Sequence, residues 1–229
     1  MTPLRPLTFA LGLAAGLGAA GLSAGTITGT VQAEGPPGTS GEGGGGSYGS
    51  LRYKFAEKTD YSRMQDFVVN IDQPLPVAGP LPVATVTQRD VSFDPRLLVV
   101  AVGTKVRWPN ADTIYHNVFS LSDAKPFDLG LYAKDDPKVP ELTFDQPGQV
   151  DVFCGIHSKM HCIILVLPNS YFAKVNSHKP YVIRDVPAGT YRLKAWHERL
   201  VPVVKTVTVP AEGEVKVDFT LSLSALPHY

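Results

Sequence analysis

Cys154, His157 and Met160 fall within seven residues of one another in DVFCGIHSKM, and His116 stands 38 positions before Cys154 in IYHNVFS. The four side chains offer a thiolate, two imidazoles and a thioether. Thiolate and thioether are soft donors that stabilise Cu(I), and imidazole accepts either oxidation state, so the set suits copper. A metal held in both states passes single electrons. Taken singly, each residue has a plainer reading. Two cysteines in an exported chain suggest a structural disulfide, here Cys154 to Cys162; Met160 alone would be a core filler and His116 a hydrogen-bonded core histidine. The joint spacing of four donors favours the metal.

The surrounding pattern indicates how these residues are positioned. Val150, Val152 and Cys154 alternate with Gln149, Asp151 and Phe153, the period of a half-buried strand, so Cys154 is expected to point inward at a strand end. Gly155 permits a turn and His157 can fold back beside the sulfur. Met160 stands just before the apolar run Ile163 to Leu167, a further strand. Alternation puts Met160 and Cys162 on one face and His161 on the other, which makes His161 a surface histidine and Cys162 a buried free thiol. Oxidation of Cys162 onto Cys154 would destroy the site unless the loop geometry forbids closure. His116 has to arrive from a separate loop through sheet packing.

On these residues the chain resembles the cupredoxin family of small blue-copper proteins. The C-x2-H-x2-M spacing looks most like the amicyanin type, and HNV is similar to the segment carrying that type's first histidine. The resemblance covers roughly Thr85 to Pro168 and implies one copper ion, Cu(I)/Cu(II), with His116, Cys154 and His157 in a trigonal plane and Met160 as a long axial ligand. It also implies that Asn117 ties the two ligand loops together by hydrogen bonds. Before His116, VSFDPRLLVVAVGTKVRWPNAD supplies two strand-like runs, and FDQPGQVDVF leads into Cys154.

The chain begins MTPLRPLTFALGLAAGLGAAGLSAG. A short start bearing Arg5, an apolar run and small residues fit a signal peptide over 1–24, which makes the mature protein periplasmic or secreted, with no membrane span after its removal. About 205 residues then remain, enough for one large or two small β-domains. Lys and Arg balance Asp and Glu at 21 each, so no overall field favours nucleic acid or an anionic membrane. Twenty Pro, 21 Gly and short alternating apolar runs predict an all-β chain; the family resemblances imply a Greek-key cupredoxin sandwich plus a second, smaller β-sandwich formed from the chain ends.

The expected organisation is an N-terminal β segment with a Gly-rich loop over 25–77, a Pro-rich connector over 78–84, the copper domain over 85–168 and a terminal β segment over 169–229. GTITGTV and DVPAGTYRL resemble a transthyretin-like or carboxypeptidase-regulatory-like sandwich, a combination similar to methylamine-utilisation-type exported proteins. In that arrangement the copper domain is inserted into, or packed against, a sandwich built from both ends. GEGGGGS lacks the Lys-Ser or Lys-Thr of a phosphate loop. In AWHERL, adjacent His197 and Glu198 face opposite ways on a strand and do not chelate together, so His197 is structural and Trp196 is expected to anchor the interdomain surface. His178 and His228 are expected to be solvated, and Asp94, Asp112, Asp123 and Asp128 are scattered among turns.

These features point to a one-electron carrier rather than an enzyme: the six histidines supply no second copper cluster, and no nucleophile elbow is present. Val118, Phe119, Phe153 and Ile156 are expected to form a dry shell around the metal. The resemblance implies that His157 reaches the surface through an apolar patch and marks where a redox partner protein docks. Lys159 beside it favours an acidic partner, with association slowing as salt rises. The alternative reading is an exported β-sandwich binding or structural module whose site holds copper or a disulfide without an electron-transfer role. Donor, acceptor and oligomeric state leave no signal in the chain.

Overall fold

A computed structural model describes residues 24–35, 60–76 and 79–223. Residues 1–23 of the expected signal peptide and all but the start of the Gly-rich loop lie outside the described residues, as does His228. Along the chain, β1 (Ala24–Glu34) and β2 (Phe67–Ile71) come first. Ten strands follow: β3 (Ala84–Thr85), β4 (Thr87–Arg89), β5 (Ser92–Asp94), β6 (Leu97–Ala101), β7 (Thr104–Arg107), β8 (His116–Ser120), β9 (Phe127–Tyr132), β10 (Glu141–Phe144), β11 (Gly148–Phe153) and β12 (His161–Leu167). The chain then returns through β13 (Phe172–Val175), β14 (Pro180–Pro187), β15 (Gly189–His197), β16 (Leu200–Val209), β17 (Glu214–Lys216) and β18 (Phe219–Ser222). The described structure is all-β, and its one short helical turn is Tyr61–Arg63. Among the described residues no helix is long and apolar enough to cross a membrane.

The central strands form two facing sheets, ordered β6-β12-β11-β8-β9 and β10-β7-β3. Alternation supplies the core between them. Val150, Val152 and Cys154 with Cys162, Ile164 and Val166 meet Val86, Val106, Trp108 and Phe144, each side chain from one face of a period-two strand.

Both chain ends build the second sandwich. β1 pairs with β14, β17 and β18 in one sheet, and β13-β2-β15-β16 forms the other; Ile27, Val31, Phe67, Val69, Tyr181, Leu193 and Phe219 fill the space between. The first and last described strands are thus hydrogen-bonded neighbours, with Val31 opposite Phe219. At Gly29 of β1 an added Cβ would lie 1.9 Å from the carbonyl oxygen of Val217, which stands between β17 and β18, so only glycine fits.

β12 joins the two bodies. Its face opposite the central core carries Ile163, Leu165 and Leu167, packed with Val68 and Leu97 and flanked by Trp196 and Phe172. A strand buried on both faces reads as a continuous apolar run, as ILV-rich β12 does. Trp196 sits at this junction as the sequence predicts.

Beside the junction, Arg96 donates to both carboxylate oxygens of Glu198 at 2.8 and 3.0 Å, and Lys174 pairs with Asp66 at 2.7 Å. Burial works to raise the Glu198 carboxyl, but the Arg96 guanidinium outweighs it and holds the pKa below its ordinary 4.5. A depressed carboxylate pKa gives stability that is full above the ordinary value and lost as pH falls through the folded-state value. Because Arg96 is half exposed, the pair contributes no more than about 1 kcal/mol. Glu198→Gln should therefore lower the urea midpoint at pH 7 and converge on the parent once the pH falls below the depressed folded-state pKa. An equal deficit at both pH values would show that the ion pair is not its source.

Candidate metal centre

Antiparallel pairing assembles the site. β8 and β11 are neighbours with Phe153 opposite Phe119, so the start of β8, where His116 stands, lies beside the end of β11, which Cys154 follows. β12 returns antiparallel to β11, with His161 opposite Phe153. The loop between β11 and β12 is closed by backbone bonds: Met160 N–H donates to the His157 carbonyl at 3.0 Å, and Cys154 N–H to the Met160 carbonyl at 3.4 Å.

The result is a compact donor group. One ligand atom each from His116, Cys154 and His157 lie within 4.8 Å of one another. His116 Nδ1 is 3.0 Å from His157 Nδ1, and Cys154 Sγ is 3.6 Å from the same nitrogen. Bonds of about 2.0 Å to nitrogen and about 2.3 Å to sulfur, as first-row metals such as zinc make, place trigonal ligand atoms roughly 3.5 Å apart. The observed spacings fit one ion among a thiolate and two imidazoles. His116 and Cys154 are buried, with His116 fully so, while His157 is partly exposed. Met160 is buried in the same apolar cluster as Cys154.

Hydrogen bonds fix the ligands from behind. The Asn117 N–H donates to Cys154 Sγ at 3.4 Å. The Asn117 side chain accepts from Gly155 N–H at 3.1 Å and donates to Asp128 at 2.7 Å, so the tie between loops that the resemblance implies for Asn117 is present. The Gly130 N–H and the Asn117 amide hold the Asp128 carboxyl below its ordinary value. On the far side of His116, Nε2 lies 2.8 Å from Asp112 Oδ2. Burial acts to raise the Asp112 carboxyl, yet the Val91 N–H, the His116 ring and the Asp90 N–H together bring its pKa below the ordinary value. Neither Asp112 nor Asp128 stood out in the sequence as more than a turn acid. The only hint was that Asp112 lies four positions before His116; Asp128, eleven positions after Asn117, gave none.

The two thiols are sorted by register. Cys162 is directly opposite Val152, which leaves Cys154 diagonal to it, at about 7–8 Å and outside ordinary disulfide reach. Both are free. Burial, aided by the Asp151 charge, pushes the Cys162 thiol well up, so it stays neutral. His161 points away from the site, bonded to Asp151 at 3.0 Å and stacked on Phe153, and His178 is exposed. His197 is buried beneath Phe67 and accepts the Arg199 N–H, a structural placement. The dry shell is narrower than expected: Val118 is buried, but Phe153 and Ile156 are 38% and 52% exposed. They sit on the outward face of β11 and at the loop tip, where no second layer covers them.

No protein-family model matches this chain. No curated protein matches it either. Among solved structures, a copper-containing nitrite reductase from Thermus scotoductus is 30% identical over 41% of this chain, with a TM-score of 0.35; the match spans a quarter of the reductase. An oxidized point mutant of amicyanin is 24% identical over 37% of this chain and 81% of its own, TM-score 0.34. A purple cupredoxin from Nitrosopumilus maritimus is 23% identical over 36% of this chain and 98% of its own, TM-score 0.33. None of these findings supports the transthyretin-like reading of the chain-end sandwich.

Gly155 is the tightest point of the loop tie. An added Cβ would stand 3.0 Å from Asn117 Oδ1, so the amide would have to move off the loop it holds. Gly155→Ala should cost roughly 1–3 kcal/mol in urea denaturation of the metal-free protein. An unchanged midpoint would mean that Asn117 does not brace the loop.

Proposed function

We propose that this chain is an exported type 1, or blue, copper protein that holds one copper ion and carries single electrons between protein partners. The reading rests on the convergence of His116 Nδ1, from the start of β8, with Cys154 Sγ and His157 Nδ1, from the loop between β11 and β12. A buried soft thiolate with two imidazoles suits copper over hard cations. Met160 would be the long axial donor. Copper bound there would supply one-electron redox chemistry by alternating between Cu(II) and Cu(I).

The chain's own residues account for the rest of the function. The β8–β11 ladder and the Asn117 bonds keep the donor atoms in place whichever charge state they hold, so little has to rearrange on electron transfer. His157 is the ligand with access to solvent, and exposed apolar side chains stand near it: Ile156, and Ile114 and Tyr115 just before His116. We place the docking surface of a redox partner protein there. Exposed Lys159 favours an acidic partner, with transfer slowing as salt rises. The proposed address is periplasmic or secreted, through removal of the N-terminal segment. A disulfide-stabilised module without redox function finds no support in two free thiols.

Copper loading should give an intense visible band from thiolate-to-Cu(II) charge transfer, lost in Cys154→Ser and in His157→Ala. A colourless, redox-silent protein after loading would sink the proposal.

A further inference from the structure

His116 uses its two ring nitrogens for different tasks. Nδ1 faces Cys154 and His157 in the donor group, while Nε2 faces Asp112 Oδ2 at 2.8 Å. The imidazole is fully buried and the Asp112 side chain mostly so, with relative exposures of 0% and 15%. Water therefore does not compete well for this bond, and the carboxylate is the acidic group facing Nε2.

Asp112 is held as firmly as the histidine it touches. Its Oδ1 accepts the Asp90 N–H at 2.8 Å and its Oδ2 the Val91 N–H at 3.0 Å. Those donors belong to the two-residue turn between β4 and β5, whose residues both have positive φ, 51° and 54°. Valine rarely adopts that conformation, because its branched Cβ crowds the backbone. The turn thus carries strain and presents two successive N–H groups to one carboxylate. The segment bearing Asp112 is anchored as well. Ala111 N–H donates to the Gln88 carbonyl at 2.8 Å, Asp112 N–H to Asn110 Oδ1 at 2.9 Å, and Asn110 Nδ2 to the Ile114 and Tyr132 carbonyls. None of these bonds reaches the donor group except through His116.

We propose that Asp112 is a positioning residue that fixes the His116 tautomer and ring plane and, through that bond, lowers the reduction potential of the bound copper. The inference rests on the copper reading above. A carboxylate accepting from Nε2–H leaves the Nδ1 lone pair free for the metal and makes the imidazole a stronger donor. Stronger donation and an added negative charge stabilise Cu(II) more than Cu(I), which favours the oxidised state. The Asp90-Val91 turn keeps the carboxylate from swinging out to solvent or turning onto the metal itself.

Two measurements test it. In copper-loaded protein, Asp112→Asn keeps the shape and removes the charge; it should weaken binding of Cu(II) relative to Cu(I) about tenfold, read as an upward potential shift of about 59 mV for a one-electron couple, with the visible band retained. In the metal-free protein, nitrogen NMR should show His116 protonated at Nε2, with that proton slow to exchange. This second readout needs neither copper nor a variant that folds. A blue parent whose potential is unchanged in Asp112→Asn overturns the inference and leaves the copper reading standing. So does a metal-free His116 protonated only at Nδ1. A parent that never turns blue sinks the copper reading and with it the effect on potential, whereas the tautomer still reports whether Asp112 positions His116.

Discussion

The antiparallel pairing of β8 with β11 is the constraint on which the candidate centre depends. With Phe153 opposite Phe119, the start of β8 runs on past the end of β11 beside the loop that follows it, so His116 and Cys154 meet although 38 positions separate them in sequence. A parallel pairing would have put them at opposite ends of the sheet. The pairing also leaves the Asn117 N–H next to the thiol, where it bonds to sulfur instead of to a backbone carbonyl. The ladder thus ends where a backbone donor turns to the candidate ligand sulfur.

The pairing is only as firm as the sheet around it, and that sheet is braced from both sides. Inside, the core side chains of β11 and β12 face Trp108 and Phe144. Outside, Ile163, Leu165 and Leu167 are covered by the chain-end sandwich through Val68 and Trp196. Each fully buried aliphatic side chain contributes roughly 1.5–3 kcal/mol, so the outer layer stabilises β12 by far more than the half-exposed Arg96–Glu198 pair can. The second sandwich therefore acts on the centre mechanically, by keeping β12 and the loop before it in register.

The sequence carried the parts of this design that depend on short-range pattern. Alternation through Val150, Val152 and Cys154 placed the thiol inward, and the run at Ile163 to Leu167 marked a strand before the structure showed it covered on both faces. The meeting of both chain ends in one sheet was also expected, though through a transthyretin-like resemblance of GTITGTV and DVPAGTYRL that the comparisons do not support. What stayed hidden depends on long-range packing. Asp112 reads as a turn acid because its other partners, the backbone N–H groups of Asp90 and Val91, are over twenty positions away and have no side-chain signature. The exposure of Phe153 and Ile156 was misjudged for the opposite reason: hydrophobicity indicates that a side chain prefers burial, while the sheet's edges decide which ones obtain it.

Register also separates the two cysteines, which composition alone cannot do. Shifting β12 by two residues against β11 would set Cys162 directly across from Cys154, within range of a disulfide, and remove the thiolate from the donor group. In the observed register Val152 occupies that place, Cys162 is sealed in the core as a neutral thiol, and only Cys154 combines burial with a hydrogen-bond donor aimed at its sulfur. The apolar contacts that fix β12 against the second sandwich hence protect the candidate ligand from oxidation as well as holding it in place. That gives the chain-end sandwich a chemical consequence without its contributing a residue to the site.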